Sequence, residues 1–197
     1  MADPNLERLI GVLQDSLLLN GRDVWRRTQL GETFHKLGKL DEARGAFQRA
    51  LKDDPAYAPA HAALGKLFAD EDRWPEAETS LRHALQLKPD LVDAFVTLAD
   101  GYARRADYAR ASEAYASALA LKPEMVSLLR GAAKVAVASK RHEDAARFFG
   151  MARQEAPDDP DVLLGLGLAL GELSRHAEAR EALRAYTAKR DGPIEAW

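Results

Sequence analysis

Four prolines, Pro55, Pro89, Pro123 and Pro157, stand 34 residues apart in a chain of 197 residues. A fixed period of that length marks an internal repeat, and a repeat constrains the architecture before any single element does. Aligned on the prolines, other residues fall into columns of the same period. Ala43, Ala77, Ala111, Ala145 and Ala179 form one, and Phe47, Leu81, Tyr115, Phe149 and Leu183 another. Ala50, Ala84, Ala118 and Ala152 form a third, which Tyr186 breaks. Upstream in each unit, Leu30, Leu64, Leu98, Ala132 and Leu166 align. Beside them stand Gly31, Gly65, Ala99, Ala133 and Gly167, then Phe34, Phe68, Tyr102, Ala136 and Leu170.

The columns read as two helices per unit. Leu64, Gly65 and Phe68 fall at i, i+1 and i+4, one apolar stripe on a first helix; Ala77, Leu81 and Ala84 fall at i, i+4 and i+7 on a second. Small residues at fixed places let two helices approach, with a large residue of one filling the gap on the other. Short polar links such as DRWPEA and KRHEDA join them, and Pro75 suits a helix start, where its missing N–H costs nothing. The proline of each unit ends the second helix.

This pattern resembles the tetratricopeptide repeat, a 34-residue helix–turn–helix. The resemblance covers five repeats, 24–57, 58–91, 92–125, 126–159 and 160–193, and the second is the closest match. The family's bulky fourth-position residue is replaced here by Arg27 and His61 in the first two repeats, and the first helix of the fourth is unusually small. The expected fold is all-α, a right-handed α-solenoid with an N-terminal capping helix in 1–23 and a short tail, 194–197. In the capping segment Leu6, Leu9, Ile10, Leu13, Leu17 and Leu18 make an amphipathic helix stopped by Asn20-Gly21. Continuing the frame backwards puts Leu9 and Leu13 in the second-helix columns. A docking helix is the other reading of the same pattern. Ile194 and Trp197 in the tail either fold back on the array or lead into further chain.

The stretch GLGLALG, Gly165 to Gly171, approaches the G-x-G-x-x-G of a nucleotide loop, but Leu170 stands where the third glycine belongs. That loop needs a strand before it; PDDPDVLL reads instead as a helix start, and Gly167 joins the packing column of Gly31 and Gly65. Gly165 and Gly171 lie off that column and need another explanation, since glycine inside a helix costs roughly 1 kcal/mol against alanine.

Small rotations between repeats give a solenoid a concave face. The resemblance implies that the first helices line it, at the second, fifth, sixth, ninth, twelfth and thirteenth positions of each repeat. The candidate partner-binding residues there are Val96, Asp100, Arg130, Lys134, Val137, Leu164, Leu168 and Glu172. The early end of this face is polar; the last two repeats are small and apolar with charged flanks. Gly131, Gly165 and Gly171 would leave room for a partner's backbone. Such a patch suits a partner helix or extended peptide, the alternative being coverage by the chain's own C-terminal segment. A carboxylate clamp, as the family uses for acidic chaperone tails, does not map: Ala63, Asp93 and Thr97 occupy its places.

Lys plus Arg number 28 against 31 Asp plus Glu, a formal charge of −3 that argues against nucleic acid or an anionic membrane as main partner. Without cysteine there is no disulfide, thiolate zinc site or catalytic thiol. No signal peptide or apolar run of membrane-spanning length is read, so the expectation is a cytoplasmic protein, with an Ala- and Arg-rich composition compatible with a bacterial source. His142 and His176 take a packing position between paired helices; His35 and Glu32 form a two-ligand pair too weak for a metal site. No catalytic constellation, metal site or cofactor is read. The function expected is a protein-binding scaffold or adaptor, with self-association open. The alternatives are a module of a larger protein and a secretion-type chaperone.

Overall fold

The computed structural model describes residues 3–191; the tail with Ile194 and Trp197 lies outside the described residues. Eleven α-helices occupy the described residues: α1 Pro4–Leu19, α2 Val24–Lys36, α3 Leu40–Asp53, α4 Ala58–Asp70, α5 Trp74–Leu87, α6 Val92–Arg104, α7 Tyr108–Leu121, α8 Val126–Ala138, α9 His142–Glu155, α10 Pro160–Glu172 and α11 His176–Asp191. From α2 onward, first and second helices alternate. Every first helix starts 34 residues after the one before, and so does every second helix.

The period extends to the backbone of the turns. Gly38, Asp72, Ala106, Lys140 and Ser174 all adopt positive φ, between 57° and 72°, at the same place in each repeat. Around each runs one Schellman motif: the N–H of Lys39, Arg73, Asp107, Arg141 and Arg175 donates to the C=O of Phe34, Phe68, Tyr102, Ala136 and Leu170. These 2.8–3.0 Å bonds satisfy carbonyls that the end of each first helix would otherwise leave unpaired. Glycine takes the left-handed conformation freely, and here only Gly38 is one.

Carboxylates hold the starts of several helices. Asp23 accepts from the Arg26 N–H at 2.9 Å, and Asp159 from those of Asp161 and Val162 at 2.9 and 3.2 Å. Pro59, Pro75 and Pro160 occupy first-turn positions, where no backbone donor is needed.

The chain divides into two compact units, up to Thr97 and from Leu98, with the division inside α6. In the first unit α2 packs on α3 and α4 on α5; α3 bridges to α4, α2 also runs beside α4, and α1 packs on α2. Its core joins Ala43, Phe47, Leu64 and Leu67, with Phe34 and Phe68 packed against them. Truncating a ring as fully enclosed as Phe47 to alanine costs about 3–5 kcal/mol. Leu13 of α1 takes the column of Phe47 and is buried like it.

In the second unit α7, α8, α9, α10 and α11 pack in succession, and α8 runs beside α10. Ala133, Ala145, Phe149, Leu166, Leu170 and Ala182 belong to one continuous core, and Leu129, Ala152 and Val162 to another. His142 is half-buried, with its Nδ1 enclosed and unpartnered, whereas His176 is exposed. The packing role expected for His176 is therefore corrected: its column has no fixed burial, and it lies beside an open cavity.

The glycines divide by the large residue they receive. A Cβ on Gly31, Gly65 or Gly167 would overlap Phe47, Leu81 or Leu183 of its own repeat. Gly131 and Gly165 differ: their Cβ atoms would enter the rings of Tyr115 and Phe149, from the second helix of the preceding repeat. The room expected there for a partner is already filled. Gly171 has open space beside it.

Candidate interaction faces

In the second unit the candidate residues other than Asp100, which stands on α6, lie on two neighbouring first helices. Arg130, Lys134 and Val137 fall at i, i+4 and i+7 of α8; Leu164 and Leu168, with Gly171 and Glu172, repeat that spacing on α10. Val137 is 43 % and Leu168 58 % exposed, and Leu164 is half-buried. Leu168 and Gly171 line a cavity of about 380 Å³ with Leu183, beside Glu172 and His176. Burying such side chains yields roughly 25 cal/mol per Å² of apolar surface, so a cover over Val137 and Leu168 would be favourable.

The charges here are not equivalent. Lys134 is exposed and has no ion-pair partner among the described residues. Arg130 is committed: its Nη1 lies 3.1 Å from Asp159 and 3.2 Å from Asp161, the N-terminal acids of α10. It ties α8 to the start of the next first helix. Asp100, also exposed, accepts the Tyr115 hydroxyl at 2.5 Å. Burial, then this bond, push the Tyr115 phenol far above its usual value, keeping it neutral.

Val96 belongs to the first unit and is half-buried. It is the one candidate residue placed on that unit, whose first helices line a cavity of about 760 Å³. Pro59, Ala62 and Ala63 are among its small lining residues; Lys36 and Lys66 supply positive charge and Glu32, Asp70, Asp90 and Asp93 negative charge. Both lysines lack an ion-pair partner among the described residues. His35 does not join Glu32: its Nε2 lies 3.0 Å from Asp70 of the next repeat, while Glu32 accepts from Gln29 at 3.0 Å. The run of small residues at groove positions was the available signal for this cavity. Among the described residues no three His, Asp or Glu side chains gather as a metal site, and no helix is long and apolar enough to cross a membrane.

Paired helices repeated every 34 residues, each pair joined through the same left-handed turn, define an all-α repeat protein of the solenoid class. Tetratricopeptide-repeat models match residues 98–161 and 136–197 and residues 60–93, and a TPR-repeat model matches 31–72. The chain belongs to the tetratricopeptide repeat family, which supports a role as a protein-interaction scaffold. No curated protein matches it significantly. Similar solved structures include the type IV pilus biogenesis factor PilW, with 18 % identity, a TM-score of 0.81, and 96 % of this chain and 88 % of that one covered. PilF of Pseudomonas aeruginosa gives 23 %, 0.75, and 86 % and 78 %. YrrB, described as a TPR protein with an unusual peptide-binding site, gives 15 %, 0.74, and 92 % and 94 %. At these identities the likeness is one of fold.

Proposed function

We propose that the α8–α10 face of the second unit binds a helix or extended segment of a partner protein. The observation that carries this reading is the exposure of Val137 on α8 and Leu168 on the neighbouring α10, with Leu164 one turn before Leu168 and the open Gly171, which matches Val137, after it. Apolar residues of the partner would cover the two side chains. A partner carboxylate would meet Lys134, which sets orientation and salt dependence more than affinity. Arg130 is left out of that role because its charge already serves α10.

A second reading places peptide binding in the first unit, favoured by a cavity larger than the one beside Leu168 and by the unpaired Lys36 and Lys66. One comparison separates the two. Three proteins of equal helicity are used as bait in native extract: the unmodified chain, Val137→Arg with Leu168→Arg, and Lys36→Glu with Lys66→Glu. Loss of a captured protein from the first variant alone supports the α8–α10 face. Loss from the second alone moves the site to the first unit. Capture by all three, or by none, removes both faces from consideration.

A further inference from the structure

Helix α1 sits in the register of a second helix, but among the described residues it packs on α2 and has no first helix of its own repeat. The consequence shows at one column. Ala43, Ala77, Ala111 and Ala145 are fully buried where a first helix covers them; Leu9, in the same column, is 41 % exposed. Leu9 is not alone. Asn5, Leu9, Val12, Ser16 and Leu19 follow at alternating steps of four and three, so they form one seam along the helix. Val12 is 61 % and Leu19 92 % exposed, an apolar strip open to water.

The seam has one free edge. The edge that carries Leu6 and Leu13 is turned toward α2, and Leu13 is buried there. The other carries Arg8 and Asp15, seven residues or about 10 Å apart on the same side. Both are exposed, and neither has an ion-pair partner among the described residues. Opposite charges two turns apart, with the apolar seam beside them, make this edge complementary to itself when reversed.

We infer that α1 pairs with α1 of a second copy of this chain, antiparallel, about a two-fold axis beside Val12. Reversal places Arg8 of each helix opposite Asp15 of the other, so one symmetric contact forms two ion pairs. Leu9 and Val12 of each copy then cover those of the other. A parallel pair fails on the same residues: it would need charges on the edge that is packed against α2. This inference is independent of the partner-binding reading, which uses other helices.

The test is sedimentation from about 1 µM to about 1 mM, the range in which a short helix seam is populated. Unmodified protein is expected to pass from monomer to dimer, and Val12→Glu, with unchanged helicity, to stay monomeric. Arg8→Asp should weaken dimerisation at least tenfold, and adding Asp15→Arg should restore it. Because the chain lacks cysteine, a Val12→Cys variant reports directly: oxidation should link two copies through the residue beside the axis. A chain that stays monomeric throughout overturns the proposal and leaves the seam to a different protein. Dimerisation that survives Val12→Glu, or an Arg8→Asp loss that Asp15→Arg does not repair, overturns it as well.

Discussion

The ring of Phe149 occupies the space in which a side chain at position 165 would stand. Gly165 therefore serves the packing of the preceding repeat. Gly165→Ala should destabilise the protein by about 1–3 kcal/mol, the usual cost of overfilling a packed core. Gly171→Ala should have the opposite sign and stabilise by up to about 1 kcal/mol, because its Cβ meets nothing and alanine favours helix. Urea unfolding of the two variants reads both signs. A matched loss at 171 would mean that the glycine has a packing role there too.

Ala106 holds φ +58° in a turn that the first repeat builds with Gly38. An L-residue in that conformation costs about 1–2 kcal/mol. Ala106→Gly should recover about 1 kcal/mol, less what glycine's extra freedom in the unfolded chain removes. The measurement is the urea midpoint at constant slope.

Tyr115 should show its hydrogen bond to Asp100 as a pH effect. Its phenol is raised above the usual 10.0, so the folded state disfavours the ionised form. That contribution is complete below pH 10 and is lost as pH rises toward the folded-state value. Tyr115→Phe should cost about 1 kcal/mol at neutral pH, and the gap between the two proteins should narrow above pH 10. Stability curves from pH 7 upward decide it.

Asp23 gives the acid counterpart. The Arg26 N–H, foremost, holds its carboxyl below the usual 3.8. A lowered value stabilises above the unfolded-state pKa, and the benefit disappears as pH falls through the folded-state one. Asp23→Ala should cost about 1 kcal/mol at pH 7, the usual worth of an N-cap. Thermal melts at falling pH should bring wild type and variant together below the ordinary carboxylate range.

The 34-residue columns were legible because buried alanines and rings recur where two helices touch, and composition cannot hide a period. The turns were not, since the left-handed position carries Gly38 once and then Asp72, Ala106, Lys140 and Ser174. Exposure of Val137 and Leu168 followed from their positions along the helix. The ties of Arg130 did not, because Asp159 and Asp161 lie about thirty residues away and act first as the start of a helix. Gly131 and Gly165 were misread for a related reason. Each is explained by a ring sixteen residues earlier, in another repeat, wherever Ala99 or Ala133 replaces the glycine of the ring's own repeat.

That exchange bears on how the second unit can be cut or copied. A 34-residue block beginning at Val92 carries Tyr115 but leaves Gly131 behind. Moved next to a repeat with alanine in the glycine's place, its ring would have no socket. A segment running from Tyr108 through Ala138 carries ring and socket together. For duplication, deletion or grafting, the indivisible piece of this half of the chain is thus a second helix with the first helix that follows it, half a period out of step with the repeat its prolines announce.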